Sequence, residues 1–225
     1  MSRIIAFDVN ETLLDLRALD GPFEELLGAA ELRGQWFAQM LQLSFVGGLT
    51  GQYVDFTTAQ RAALHMVARR SGRQVSDDAV TAIVQRMRSL PPHPEVATAL
   101  ARLAAGGLQL VALTNSVQDV AEDQLRNAGI DTHFDSILSA DTVGALKPAP
   151  APYRAVAERH GVEIGQVRLV AAHSWDIAGA LAAGARAAFI ARPGMVLSPL
   201  GAQPDIVGDD VAEVVDPILA ADVAS

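Results

Sequence analysis

The sequence predicts an α/β protein: a doubly wound parallel sheet with an inserted helical cap. Three observations carry that prediction. A short apolar run near the start ends in an aspartate, a long block of helical periodicity follows it, and beyond Pro91-Pro92-His93-Pro94 strands and helices alternate.

The first run, Arg3-Ile4-Ile5-Ala6-Phe7, is rich in β-formers and closes at Asp8, as a buried parallel strand does. From Asp20 to about Leu90 apolar residues recur at three- and four-residue spacing over Phe23–Leu27, Leu32–Phe45, Thr57–Arg70 and Asp77–Met87. Thr57 or Thr58 and Ser76 are the expected N-caps, and Gly47-Gly48 and Ser71-Gly72 the expected breaks. The proline cluster ends this block, because proline lacks an amide donor and restricts the residue before it. The remainder reads helix Glu95–Ala105, strand Leu108–Leu113, helix Val117–Ala128, strand Ser136–Leu138 and helix Pro150–Arg159. Strand Val167–Ala171, helix Asp176–Ala183, strand Arg186–Ile190, a short strand Asp205-Ile206-Val207 and helix Val211–Leu219 complete it. The division is therefore a core of about 1–15 plus 91–225 and a helical cap of about 16–90.

Composition narrows the function. Half of the 225 residues are hydrophobic, so disorder is excluded as the main state. Cysteine is absent, which removes disulfides, a thiol nucleophile, zinc–thiolate sites and iron–sulfur clusters. Asp plus Glu number 26 against 17 Lys plus Arg, so the field repels polyanions and nucleic acid is not an expected partner. Only four apolar residues separate Arg3 from Asp8, too few for a signal-peptide core, and no apolar run reaches membrane length; a cytoplasmic location is expected.

Ligands of such sheets sit at the carboxyl ends of the strands. Those ends carry Asp8, Thr114-Asn115, the loop before Lys147, and His173-Ser174-Trp175-Asp176. A carboxylate directly after a buried strand, in the loop Asp8-Val9-Asn10-Glu11-Thr12-Leu13-Leu14-Asp15, is placed as a nucleophile. Alone it would read as a loop carboxylate; four converging polar clusters favour chemistry.

With these residues the sequence resembles the haloacid dehalogenase superfamily, and within it the type II 2-haloacid dehalogenases. The resemblance spans the nucleophile loop, the helical insertion, Leu113-Thr114-Asn115, Lys147-Pro148 with Tyr153, and Trp175-Asp176. Phosphatases of the superfamily carry a second aspartate two positions after the nucleophile as general acid; here that position is Asn10. They also hold Mg²⁺ with acidic residues after the fourth strand, where this chain has one carboxylate, Asp176. The resemblance thus implies a metal-independent hydrolase without cofactor, with a Rossmann-like core. Asp8 would displace halide from short 2-haloalkanoic acids, and water would then cleave the aspartyl ester. A Mg²⁺-dependent phosphatase using Asp8 and a catalytically silent carboxylate-binding protein are the alternatives.

The resemblance assigns further roles. Lys147 would orient Asp8 and hold the substrate carboxylate, and Thr12 would steady Asp8 or serve only as a helix-start threonine. Thr114 and Asn115, at a helix N-terminus, would bind the carboxylate, with Asn115 also facing the departing halide. Arg33 is the candidate halide receiver and Arg17 its competitor. Phe56 and Trp175 would be apolar walls or plain core, Tyr153 a support, and Asp176 an anchor for Lys147 or water. Many type II enzymes have asparagine where this chain has His173 and glycine where it has Glu11. A histidine oriented by a glutamate activates water, so His173 with Glu11 is the expected base for ester hydrolysis. His65, His93, His133 and His160 lack such convergence and read as structural. Haloacid, halide ion and, through cap helices, a second copy of the chain are the implied partners; a membrane is not.

Overall fold

The computed structural model describes residues 4–223. Six parallel strands form one sheet: β1 (Ile4–Phe7), β2 (Gln109–Thr114), β3 (Ser136–Ser139), β4 (Val167–Ala171), β5 (Arg186–Ile190) and β6 (Ile206–Gly208), in the order β3-β2-β1-β4-β5-β6. The expected strand start at Arg3 lies outside the described residues. β1 is central, pairing Phe7 with Ala112 of β2 and with Val170 of β4, and all four of its residues are buried. The order reverses between β1 and β4, which opens the crevice beyond their carboxyl ends.

Helices α1 (Asp20–Leu27), α2 (Leu32–Thr50), α3 (Phe56–Arg70) and α4 (Asp77–Arg86) lie between β1 and the second half of the chain. α5 (Val96–Ala105), α6 (Gln118–Asn127), α7 (Pro150–His160), α8 (Ser174–Ala183) and α9 (Val211–Asp222) connect or follow the strands. Apolar side chains on one side of the sheet, Phe7 and Leu110 among them, join those of the insertion, such as Trp36 and Leu64, in a common core. The opposite side packs Ile4, Val111 and Leu169 against α7 and α8 through Val156 and Ile177. Among the described residues no helix is long and apolar enough to cross a membrane.

Two local expectations need correction. α2 continues through Gly47-Gly48 and stops at Gly51, which takes the left-handed conformation at φ 70°. An interior glycine costs a helix about 1 kcal/mol, which tertiary packing outweighs, whereas a positive φ ends it. α3 is capped by Asp55, whose carboxylate accepts from the amide of Thr58, rather than by Thr57 or Thr58. Ser76 caps α4 as expected.

Candidate active site

Asp8 follows β1 directly and is 5% exposed. Its amide donates to the carbonyl of Val170 at 3.0 Å, so the ladder with β4 fixes the backbone just before the loop. The hydroxyl of Thr12 donates to Asp8 Oδ2 at 2.7 Å and itself accepts from the amide of Ala172 at 2.9 Å. Thr12 therefore ties the nucleophile loop to the end of β4.

Lys147 is wholly buried. Its ammonium donates to Asp8 Oδ1 at 2.9 Å, to the carbonyl of Leu113 at 2.8 Å and to Asp176 Oδ2 at 2.6 Å, which uses all three of its protons. Tyr153 completes the support by donating its phenol to Asp176 Oδ1 at 2.5 Å. Burial alone would push the Lys147 pKa down, but the two carboxylates outweigh it and hold the ammonium charged. Burial likewise opposes the charge on Asp8, yet Lys147, His173 and Thr12 together hold its carboxyl well below the usual carboxylate range. Asp176 is pushed upward, mainly by burial, with the Asp8 charge adding to it. The surroundings thus favour the ionised form more strongly at Asp8 than at Asp176.

His173, the residue before α8, bridges two carboxylates. Its Nδ1 is 3.0 Å from Asp8 Oδ2 and its Nε2 3.0 Å from Glu11 Oε2. The ring lies between Phe37 and Trp175, with centroids at 5.5 and 5.2 Å and nearly parallel planes. Burial would lower its pKa, but the bonds to Asp8 and Glu11 and their charges raise it to about 9. In this arrangement His173 is an imidazolium at neutral pH, a proton donor to both carboxylates. To act as the base expected for ester hydrolysis, His173 has first to give up this proton.

Glu11 reaches His173 from an unfavourable backbone, at φ 62°. A side chain there costs roughly 1 kcal/mol that glycine would not incur. Arg33 stands behind it, with Nη1 donating to Glu11 Oε1 at 3.4 Å and Nε donating to Asp20 Oδ1 at 2.6 Å. Arg33 thus meets the cluster through Glu11, while Arg17 is bound to Asp15 on the surface.

Other expected residues are placed differently. Asn115 does not present its amide oxygen to a ligand: that oxygen accepts from the Lys147 amide at 2.8 Å, and its Nδ2 donates to the Lys147 carbonyl at 3.2 Å. The reason is that the buried backbone of Lys147 lies beyond any strand and needs partners. The Thr114 hydroxyl accepts from the Ser116 amide at 3.1 Å, which closes a local turn. Phe56 is buried in the apolar core. The aromatic ring that the insertion sets against His173 is Phe37, one turn after Arg33, which sequence reasoning missed although the four-residue spacing puts both on one helical face. Asn10 accepts from Gln124 at 2.8 Å and offers no acidic proton.

The arrangement is a buried carboxylate with a fixed ammonium and a fixed imidazolium, suited to attack an electrophilic carbon in an anionic substrate. Comparisons with known proteins agree in kind. The family model of haloacid dehalogenase-like hydrolases matches residues 3–184. (S)-2-haloacid dehalogenase 2 of Pseudomonas sp. strain CBS-3 is 30% identical over 208 residues, covering 91% of this chain and 90% of that protein. Haloacetate dehalogenase H-2 of Moraxella sp. strain B is 29% identical over 203 residues, covering 89% and 91%. The structure of L-2-haloacid dehalogenase from Xanthobacter autotrophicus with chloropropionic acid covalently bound superposes with a TM-score of 0.91 at 25% identity, covering 97% of this chain and 98% of that one.

Proposed function

The chain belongs to the haloacid dehalogenase-like hydrolases, and from that premise we propose that it hydrolyses short 2-haloalkanoic acids to 2-hydroxy acids through an ester on Asp8. The observation that carries this reading is the state of Asp8. It is buried, ionised and held by Lys147, Thr12 and His173, with Asn10 where a phosphatase needs an acid.

In the first step a carboxylate oxygen of Asp8 attacks the α-carbon, the new C–O bond forms, and halide leaves with the bonding electrons. Halide needs no proton, so the amide of Asn10 is sufficient where a phosphate ester would require an acid. The substrate carboxylate is drawn by the cations of the cluster and by the first turn of α6, which has no side-chain cap at Val117. Lys147 and Arg33 supply the remaining positive charge. The ammonium of Lys147 lies between the carboxylates of Asp8 and Asp176, a donor set that supports chemistry without a metal.

The second step follows from the first. Once Asp8 is an ester its charge is gone, and with it the larger share of what holds the proton on His173. Burial then favours neutral imidazole, and the proton it gives up passes to solvent, the one proton that the overall hydrolysis releases. His173, oriented by Glu11, takes a proton from water as that water attacks the ester carbonyl; the bond from the carbonyl carbon to the substrate oxygen breaks, the alkoxide takes the proton back from His173, and the proton of the new Asp8 carboxyl returns to His173, restoring Asp8 as carboxylate. The base is generated only when there is an ester to cleave.

Halide release from chloroacetate, measured with and without a chelator, tests the assignment. Release unaffected by chelation is expected; loss on chelation, restored by Mg²⁺, would overturn it. A single turnover in ¹⁸O-water with excess enzyme should label Asp8, and label found directly in the product would exclude the ester.

A further inference from the structure

A buried cation with no part in either reaction step stands beside the nucleophile loop. Arg192 follows β5 and is 7% exposed. Its Nε donates to the carbonyl of Thr12 at 2.8 Å and its Nη2 to Glu95 Oε1 at 2.7 Å. Thr12 is therefore held at both ends, since its hydroxyl goes to Asp8 and its carbonyl to Arg192. His93 secures the residues on either side: its amide donates to the Leu13 carbonyl at 2.9 Å, and its ring lies against the backbone of Glu11.

The loop needs such holding. Glu11 sits at φ 62°, a conformation that persists only where the surroundings over-determine it. The Thr12 peptide is next in the chain, so freedom at its carbonyl would let Glu11 relax toward ordinary backbone. Its carboxylate would then leave His173 Nε2, now 3.0 Å away. Arg192 is also an expensive way to fill space. Burying a guanidinium against Glu95 costs desolvation that an apolar side chain of the same length would not incur. An apolar chain, however, could not hold the Thr12 carbonyl.

We propose that Arg192 is a positioning residue for ester hydrolysis: by holding the Thr12 carbonyl it fixes Glu11 against His173, so that its loss slows the second step far more than the first. This rests on the dehalogenase reading. The steps divide in this way because Asp8 keeps Lys147 and the bond to β4 whatever Thr12 does, whereas His173 is oriented by Glu11, a residue of the loop itself.

Arg192→Met keeps the length of the side chain and removes its donors. With chloroacetate, halide release in the first turnover should fall by no more than about threefold. Ester hydrolysis should fall about 10- to 100-fold, the range that a misplacement of about 1 Å gives, and Asp8 carrying a carboxymethyl group should accumulate, seen by mass spectrometry. The His173 midpoint, followed by ¹⁵N NMR without substrate, supplies a sign. Asp8 and Glu11 bond its ring, Lys147 lies beyond Asp8, and Arg33 lies beyond Glu11. Removing the Arg192 charge would by itself raise that midpoint, whereas loosening Glu11 lowers it. A fall is expected. Val156→Ala, a loss of packing on the far side of the sheet, should change neither the ratio of the two steps nor the midpoint.

Equal slowing of both steps, a raised midpoint, or the same changes in Val156→Ala would overturn the proposal. If Arg192→Met does not fold, Glu95→Ala, which frees the guanidinium from its anchor, replaces it; the ester should again accumulate, and its absence would overturn the proposal too. If the wild type releases no halide yet the midpoint falls in Arg192→Met, the positioning of Glu11 stands and the dehalogenase reading fails.

Discussion

Replacing Asp8 by asparagine converts the nucleophile into a neutral isostere of its own ester, and the histidine beside it should respond. In the unmodified protein the pKa of His173 is raised from 6.5 to about 9, a preference for the imidazolium of about 3 kcal/mol. That rise is the balance of burial against two carboxylates. Both are 3.0 Å from a ring nitrogen, and Asp8 exceeds Glu11 in hydrogen bonding and in charge. Because burial subtracts from their joint effect, Asp8 must supply more than half of the observed elevation. Asp8→Asn should thus lower the proton affinity of His173 by about 1.5 kcal/mol, some tenfold. The assay is an NMR titration of ¹⁵N-histidine-labelled protein, in which the shifts of Nδ1 and Nε2 report the proton directly. His173 should titrate far above the ordinary histidine range in the wild type and much nearer to it in Asp8→Asn. Equal midpoints in the two proteins would refute the idea that esterification creates the base, and an ordinary midpoint in the wild type would refute the imidazolium itself.

Three further outcomes are expected. His173→Ala incubated with chloroacetate should release about one halide per protein and accumulate Asp8 carrying a carboxymethyl group, seen by mass spectrometry, because turnover loses the roughly 10²–10⁴-fold that a general base supplies; near wild-type turnover would assign the water to another group. Glu11→Gly relieves a positive φ worth about 1 kcal/mol but also removes the bonds to His173 and Arg33, so urea denaturation should show no gain in stability while ester hydrolysis slows and the His173 midpoint falls; a clear stabilisation would mean that those bonds contribute nothing. Since the folded pKa of His173 is raised, its contribution of about 3 kcal/mol is complete below its ordinary 6.5 and fades as pH rises through about 9. Urea midpoints should fall across that interval in the wild type and stay flatter in His173→Gln. Asp8 has the opposite sign: its depressed pKa makes its contribution complete above 3.8, fading only as pH falls below that value.

The reacting groups were legible because they follow strands. Asp8 and His173 lie next to segments whose apolar runs are unmistakable, and parallel strands bring such ends to one crevice, whereas Lys147 sits in the loop well past β3 and was legible through the Lys147-Pro148 pair. The partners contributed by the insertion were less legible. Arg33 and Phe37 share a helical face, but whether that face meets His173 depends on how α2 packs against the sheet, which periodicity does not encode. Asn115 shows a different limit: its side chain is a plausible ligand donor until the need of the Lys147 backbone for partners is known. The protonation of His173 was hidden as well, since it depends on two distances of 3.0 Å and on burial, neither of which a residue name carries.

The position of β1 at the centre of the sheet also sets the order in which the molecule can assemble. Its neighbours arrive from Gln109–Thr114 on one side and Val167–Ala171 on the other, so half its ladder waits for residues more than 160 positions later in the chain. The Asp8–Lys147 ion pair spans 139 positions and is buried, so until that loop closes neither charge can leave water cheaply. Contacts of this range are slow to form compared with the local helices of the insertion. In refolding from denaturant, amide protection of β1 should consequently appear together with that of β4 and after that of α2 and α3. On a ribosome, a nascent chain that has not yet emerged through Ala171 would carry Asp8 on a strand still open along one edge, and its site would close only after β4 has paired.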